Sequence, residues 1–282
     1  MPMTVSPLRY PGGKTVYADM IAEIIRRNNL FGRIFVEAFA GGAGAALTLL
    51  LRGDVPAIIL NDYDFAIYSF WHSVLYDTEA FLRLLNDTPI SVSEWHKQRN
   101  IYRNEHENQL ALGFATFYLN RCNRAGILAA NPIGGLRQSG QYKIDARFNK
   151  AKLAQKIQAI SNFRDSITIS NNNAVEFIAQ LSTKFKPDEL FIYFDPPYYR
   201  KGELLYLNHF DHRQHVVLRD HIRDTSFAWI LSYDDEAEIR EMYNSIPTYK
   251  RALQYSIAKP SIGHELIISR LQMPNELQQI TG

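Results

Sequence analysis

Short apolar runs alternate along this chain with longer stretches in which apolar residues recur at helical spacing. Residues 33–39 (RIFVEAF) are rich in Ile, Phe and Val and predict a buried strand. Residues 44–52 (GAALTLLLR) combine Ala and Leu and predict a helix. After a Gly-Asp-Val-Pro break, residues 57–60 predict a second strand and 65–75 a second helix. This order of strand and helix indicates a parallel α/β sheet. From 77 to 121 the pattern is helical (AFLRLL, VSEWHKQRNIY, LALGFATFYLN), and no strand is evident. The Gly- and Asn-rich stretch 120–142 predicts a long ordered loop or hairpin, and 150–162 returns to helix.

Strands resume at 166–170 (SITIS), 190–195 (LFIYFD) and 227–232 (FAWILS). The last two are nearly continuous apolar runs, as central strands of a covered sheet should be. Helices are predicted near 174–181 and 213–223. Residues 249–256 and 265–270 read as two final strands whose short link makes them antiparallel neighbours. The expected organisation is an α/β catalytic domain in two parts, 1–71 and 161–282, split around a mostly helical insertion at 72–160.

Composition sets the class. With 46% hydrophobic and 21% charged residues, the chain has enough apolar content for a large core, and overall disorder is excluded. The single cysteine, Cys122, excludes an internal disulfide and a Cys-rich zinc module, and suggests a reducing, cytoplasmic setting. The N-terminus shows no secretory h-region. The apolar stretch 38–51 falls short of the roughly 20 residues needed to cross a bilayer, so no membrane association is expected. The net charge of +2 hides an uneven distribution. Residues 72–164 carry 13 Lys+Arg against 7 Asp+Glu, and 97–156 carry 11 against 3. Such a run is either a solvated helical face or a contact for a polyanion.

Two segments carry candidate chemistry. The first strand ends in EAFAGGAG, including Glu37, Phe39, Gly41, Gly42 and Gly44, and leads straight into a helix. A strand, Gly-rich turn and helix in that order suit a nucleotide-like cofactor, because glycines let the backbone approach a ligand closely. Asp62 closes the next strand, about 20 residues on, where an acid accepts hydrogen bonds from a ribose. A tight turn with a helix-capping aspartate explains the same pattern without a ligand. Leu47 replaces the third glycine of the dinucleotide pattern, and Glu37 needs partners from a cationic cofactor or from turn N–H groups. The GKT of Gly13-Lys14-Thr15 is not a phosphate-binding loop, because Leu8 stands at the first glycine position and no strand precedes it.

The second segment is Asp195-Pro196-Pro197-Tyr198, directly after the apolar strand 190–194. The prolines end the strand and hold Asp195 at its carboxyl end, the side on which open α/β sheets bind ligands. The Asp195 carboxylate and the Pro196 carbonyl are acceptors that suit the two hydrogens of an exocyclic amino group, and the Tyr198 ring can stack on a base. A plain strand-ending turn is the alternative. His209, His212 and His215 are spaced every third residue but lack partner carboxylates, so no metal is expected. Cys122 reads as structural.

Taken together, these motifs resemble the N6-adenine DNA methyltransferases of the Dam-type (D12) class. The resemblance rests on RYPGGK (9–14), FVEAFAGGAG (35–44), NDYD (61–64), DPPYY (195–199), LYLNHF (205–210), WILSYD (229–234) and HELIIS (264–269), which occur in the family's order. It implies a Rossmann-like methyltransferase sheet and S-adenosylmethionine as cofactor. Tyr10 and Lys14 would line that cofactor along with Phe39 and the Gly-rich turn, Asp62 would hold the ribose, and Asp195 would stand between cofactor and base. Several members carry tryptophan where this chain has Tyr10.

The implied reaction is site-specific methyl transfer to N6 of an adenine flipped out of duplex DNA, with Tyr206 and Phe210 near the flipped base or in the core. A cytoplasmic monomer is expected, and protection against a cognate restriction nuclease, a phage origin and a mark for DNA repair are all open as its role. The insertion would read DNA through Arg121, Asn123, Arg124, Arg137 and Tyr142, by base or phosphate contacts. Amino-group methylation of RNA or of a protein glutamine, a dehydrogenase, and a DNA-binding module without activity are the competing readings. The basic insertion favours duplex DNA over the first, and the Asp-Pro-Pro-Tyr motif argues against the other two.

Overall fold

The computed structural model describes residues 5–9, 14–200, 210–255 and 261–280. A 3-10 turn, Lys14–Tyr17, leads into α1 (Ala18–Arg27). Then come β1 (Ile34–Glu37), α2 (Gly44–Arg52), β2 (Ile58–Asn61) and α3 (Phe65–Tyr76). Four helices follow: α4 (Thr78–Asp87), α5 (Val92–Asn104), α6 (Gln109–Cys122) and α7 (Lys150–Ser161). The chain returns to the sheet with β3 (Ile167–Ser170), α8 (Ala174–Lys184) and β4 (Leu190–Phe194). It ends with α9 (His212–Asp224), β5 (Ala228–Asp234), α10 (Ala237–Met242), β6 (Thr248–Tyr255), β7 (Ser261–Ile268) and β8 (Gln278–Ile280).

The strands form one sheet in the order β3-β2-β1-β4-β5-β7-β6-β8. From β3 to β5 all neighbours are parallel, and β7, β6 and β8 add antiparallel pairs. Strand alternation divides the core between the two faces. Phe35, Leu60, Phe191, Tyr193 and Ile230 face α1, α2 and α3. Val36, Ile59, Ile192, Phe194 and Leu231 face α8, α9 and α10. This is the doubly wound α/β arrangement with an antiparallel C-terminal strand pair that the apolar pattern predicts.

The basic segment does not pack as a free-standing body. Phe81 of α4, Trp95 of α5, Phe117 of α6 and Leu153 of α7 belong to the same buried cluster as Phe35 and Ile230 of the sheet. The expected boundary at 71/72 falls inside α3, and that at 160/161 falls inside the last turn of α7. α3 runs from the sheet layer into the helical layer and packs closely on α6. Phe70 stacks on Phe117 at 6.0 Å and 7°. A Cβ at Gly113 of α6 would lie 2.5 Å from the Ser69 carbonyl oxygen of α3.

The stretch 120–142 opens with the last turn of α6 and then continues as a loop, with a 3-10 turn at Arg124–Gly126 and one antiparallel bridge, Asn123↔Pro132, rather than a hairpin. Positive φ at Gly126, Gly134 and Gly135 turns it repeatedly. Two elements were not legible in the pattern. α10 has 6 residues and β8 has 3, too few for either period to show. No helix among the described residues is long and apolar enough to cross a membrane.

Gly113→Ala should push α3 and α6 apart. It is expected to lower stability by about 1–3 kcal/mol, the usual range for overpacking, as read by urea or thermal unfolding.

Candidate active site

The chain reverses its direction of sheet growth at β1. From β1 it moves outward to β2 and β3, then returns to place β4 on the other side. The switch point lies between β1 and β4, where the crevice of an open α/β sheet forms. Glu37 is in register with Tyr193, and the Ala38 N–H donates to the Tyr193 carbonyl at 3.1 Å. The Gly-rich turn after Glu37 and the Asp195-Pro196 segment after Phe194 therefore leave the sheet side by side.

The turn is built without a conventional helix cap. The N-cap residue of α2 is Ala43, in the left-handed region at φ 49°, and it has no side-chain acceptor. Glu37 supplies one from the strand below: its Oε1 accepts the Ala46 N–H at 2.7 Å, with the side chain only 4% exposed. Of the two partner types expected for Glu37, a backbone N–H group is thus present. Gly41 also has positive φ, 46°, and its carbonyl accepts from Trp71 Nε1 at 2.9 Å. Phe39, half-buried, meets Phe210 edge-to-face at 6.1 Å. Gly42 is buried in the turn, and Gly44 opens α2.

Asp62 stands at the end of β2 and faces this turn. Its Oδ2 accepts the Gly41 N–H at 2.7 Å and its Oδ1 the Asp64 N–H at 2.9 Å. Burial, with the neighbouring Asp64 carboxylate adding to it, pushes its pKa up to about 7 despite these two donors. Beside it is a depression lined by Ala40, Leu60, Tyr68, Trp71, Ile169 and Ser170. Asn61 ties the neighbouring strand ends together. Its amide donates to the Ala38 and Asn172 carbonyls, both at 3.0 Å, and its Oδ1 accepts from Ser170 Oγ at 2.8 Å.

Asp195 is half-buried, and Ser232 Oγ of β5 donates to its Oδ1 at 2.7 Å. Tyr193 Oη lies 2.9 Å from the same Ser232 oxygen. Pro196 is buried, as is Tyr198 at 8% exposure. The Tyr198 hydroxyl donates to the Glu265 carboxylate of β7, which also accepts from Tyr17 Oη. Glu265 is wholly buried, and the Arg251 guanidinium lies 4.3 Å over the Tyr17 ring. Asp234 holds the following turn: its two oxygens accept the Tyr199 N–H at 2.8 Å and the Arg200 N–H at 3.2 Å. Ser232, Asp234 and Glu265 lie inside sequence stretches that carried the family resemblance, yet nothing in the residue order singled them out.

Tyr10, Tyr206 and His209 lie outside the described residues, and Lys14 begins the 3-10 turn before α1. The other two candidate histidines have structural partners: His212 Nδ1 meets Tyr199 Oη at 2.9 Å, and His215 Nδ1 meets Tyr233 Oη at 2.7 Å. Burial takes the His215 pKa down to about 4, so it is neutral at ordinary pH.

The expected DNA contacts divide. Arg124, Arg137 and Tyr142 are exposed, Tyr142 at 64%. Asn123 turns inward, which corrects its expected role, while Arg121 is half-exposed with its guanidinium on backbone carbonyls. Asn123 is fully buried, accepts from Trp95 Nε1 at 2.7 Å, and donates to the Ile127 and Leu128 carbonyls. Its amide satisfies backbone groups of the loop and is committed within the protein. The Arg121 guanidinium donates to the Arg147 and Pro7 carbonyls. Burial, with Arg9 and Arg147 close by, lowers its pKa to about 10.

These two residues help to seat the N-terminal segment, with Asn120 as its main anchor. Asn120 Oδ1 accepts the Arg9 N–H at 2.7 Å, and its amide donates to the Arg9 carbonyl at 2.8 Å. Gly126 leaves room for this contact: a Cβ there would lie 2.3 Å from the Arg9 carbonyl oxygen.

Comparison with known proteins gives this geometry its context. The chain is 25% identical over 211 residues to the Type II methyltransferase M.MjaIII of Methanocaldococcus jannaschii, covering 70% of each chain. Among solved structures it is similar to the rRNA methyltransferase aviRa from Streptomyces viridochromogenes, with 12% identity and a TM-score of 0.36 over 94% of this chain and 84% of that one. It is also similar to the putative methyltransferase yhhF from Escherichia coli, with 11% identity and a TM-score of 0.33 over 91% and 87%. The model of the D12 class N6 adenine-specific DNA methyltransferases matches residues 10–257. That match spans most of the chain and takes in β1 to β6, six of the eight strands, so the chain belongs to the D12 class N6 adenine-specific DNA methyltransferase family.

Proposed function

We propose that the chain transfers a methyl group from S-adenosylmethionine to N6 of an adenine flipped out of duplex DNA, with the reaction centred on Asp195. The observation that carries this reading is the paired exit of β1 and β4. It brings a Gly-rich turn and an anchored, half-buried carboxylate to one crevice.

The residues present fit the cofactor. Asp62 is a half-buried acceptor just beyond a strand end, suited to ribose hydroxyls, and the aromatic side chains of Tyr68 and Trp71 lie beside it. Phe39 and the backbone of Gly41, Gly42 and Gly44 would complete its bed, with Tyr10 and Lys14 contributing from the N-terminal segment. When bound, S-adenosylmethionine supplies an electrophilic methyl group on a sulfonium.

The adenine amino group is a poor nucleophile because its lone pair is delocalised into the ring. Asp195 and the Pro196 carbonyl accept its two hydrogens and so orient that lone pair. Catalysis is by positioning and electrostatics, with no covalent enzyme intermediate. The Tyr198 hydroxyl is anchored to Glu265, so the tyrosine meets the base with its ring. Stacking of that kind offsets about 1–3 kcal/mol of the cost of unstacking the base. Exposed Arg124, Arg137 and Tyr142 support DNA contact by the basic segment 72–160. The likeness to a Type II methyltransferase supports a role beside a restriction nuclease of the same specificity.

Asp195→Ala should abolish the formation of N6-methyladenine in duplex DNA, a loss of at least about 100-fold, with thermal unfolding unchanged. Labelled S-adenosylmethionine and digestion to nucleosides read this directly, and a variant with wild-type rate would remove Asp195 from its role.

The raised pKa of Asp62 makes a second prediction. Only the ionised carboxylate is a strong acceptor for two hydroxyls, and the group is protonated below about 7. Affinity for S-adenosylmethionine should therefore rise between pH 6 and pH 8, with proton release on binding, as titration calorimetry in two buffers would show. Asp62→Asn should bind weakly and lose this pH dependence.

For the DNA face, Arg124→Ala or Arg137→Ala should weaken binding in a salt-dependent way. Each lost phosphate contact should reduce the slope of log K against log salt by about 0.9. Arg121→Ala should act through stability, because its guanidinium is bound to backbone carbonyls.

A further inference from the structure

Two hydroxyls behind Asp195 have no part in the reading above. Ser232 is wholly buried on β5, and Tyr193 is 1% exposed on β4. Ser232 Oγ is 2.7 Å from Asp195 Oδ1 and 2.9 Å from Tyr193 Oη. An ionised carboxylate only accepts, and a serine hydroxyl has a single proton. Ser232 therefore donates to Asp195, and Tyr193 donates to Ser232. The polarity of the chain is set by this count: Tyr193 to Ser232 to the carboxylate.

Both donors are held by central strands rather than by loops. Ser232 is in register with Ile267 of β7, and its neighbour Leu231 pairs with Phe194, the last residue of β4. The Tyr193 ring stacks on Tyr17 at 6.0 Å and on Phe35 at 6.5 Å. Asp195 is the first residue beyond the strand, where the ladder no longer fixes side-chain direction.

We propose that Ser232, oriented by Tyr193, is a positioning residue for methyl transfer. It fixes the plane of the Asp195 carboxylate through Oδ1, so that the adenine amino group meets an acceptor already in the reactive orientation. The inference rests on the assignment of Asp195 above. A hydrogen bond that orients a catalytic group acts on the transition state more than on substrate binding. Neither hydroxyl needs to touch cofactor or DNA.

The test uses the full-length protein, duplex DNA free of N6-methyladenine, and labelled S-adenosylmethionine. Ser232→Ala should lower kcat by about 10- to 30-fold while KM for DNA and for S-adenosylmethionine stays within about twofold. Tyr193→Phe should lower kcat by about threefold, and the double variant should match Ser232→Ala, as a tyrosine that acts on Asp195 through the serine requires. A wild-type kcat in Ser232→Ala, a loss confined to KM, or multiplicative effects in the double variant would overturn the proposal.

Thermal unfolding of each variant checks the fold. If Ser232→Ala does not fold, Tyr193→Phe decides the matter, and a wild-type kcat there overturns the proposal. Asp195→Ala run in parallel separates the two levels. An active Asp195→Ala defeats the underlying assignment, whereas an inactive one beside a fully active Ser232→Ala defeats only the role of Ser232.

Discussion

Carboxylates lie along one edge of this sheet, and each must find hydrogen-bond donors inside the protein. Glu37 at the end of β1 takes the N–H of Ala46, and Asp62 beyond β2 takes those of Gly41 and Asp64. Asp195 beyond β4 takes the Ser232 hydroxyl, and Asp234 at the end of β5 takes the N–H groups of Tyr199 and Arg200. Glu265, in register with Asp234, takes two tyrosine hydroxyls. Leaving such a group unsatisfied is costly, so each acid dictates where its neighbouring loop can lie. The Gly-rich turn, the start of α2 and the Asp-Pro-Pro-Tyr segment are placed by this requirement as much as by their own backbone preferences. The crevice is built from satisfied acids, of which Asp62 and Asp195, each just beyond its strand, are half-exposed.

The basic segment is bound to the same frame. Its helices share the buried cluster of the sheet through Phe81, Trp95, Phe117 and Leu153, and α3 is common to both. Asn120, Arg121 and Asn123 at the end of α6 receive the N-terminal segment through Arg9 and Pro7. The region assigned to DNA and the segment assigned to the cofactor are therefore in direct contact. A shift of α6 on engaging DNA would be felt at Arg9, since the Asn120 amide holds both its N–H and its carbonyl.

Legibility followed the range of the interactions involved. The places of the Gly-rich turn, Asp62 and Asp195 at strand ends were readable because each depends on a local order of strand, turn and special residue. The central strands were readable because burial on both faces forces a continuous apolar run. The partners of Arg121 and Asn123 inside the protein were not readable, because an arginine or asparagine has the same donors whether it faces a phosphate or a carbonyl. Their partners, Arg147, Pro7, Trp95 and Leu128, are set by the path of the loop. Ser232 was invisible for a related reason: a small polar residue in the run WILSYD reads only as part of a buried strand.

The sequence by itself determined the fold class, the family motifs and the residue types available for chemistry, since these depend on periodicity and on contacts between near neighbours. The tertiary structure decided which acids share a crevice, which cations face outward and which hydroxyl stands behind Asp195. Those outcomes depend on strand order and register, which join Glu37 to Tyr193 and Ser232 to Asp195 across long stretches of chain. No local pattern encodes such pairings, because they are fixed only when the buried faces of all the strands and helices pack at once.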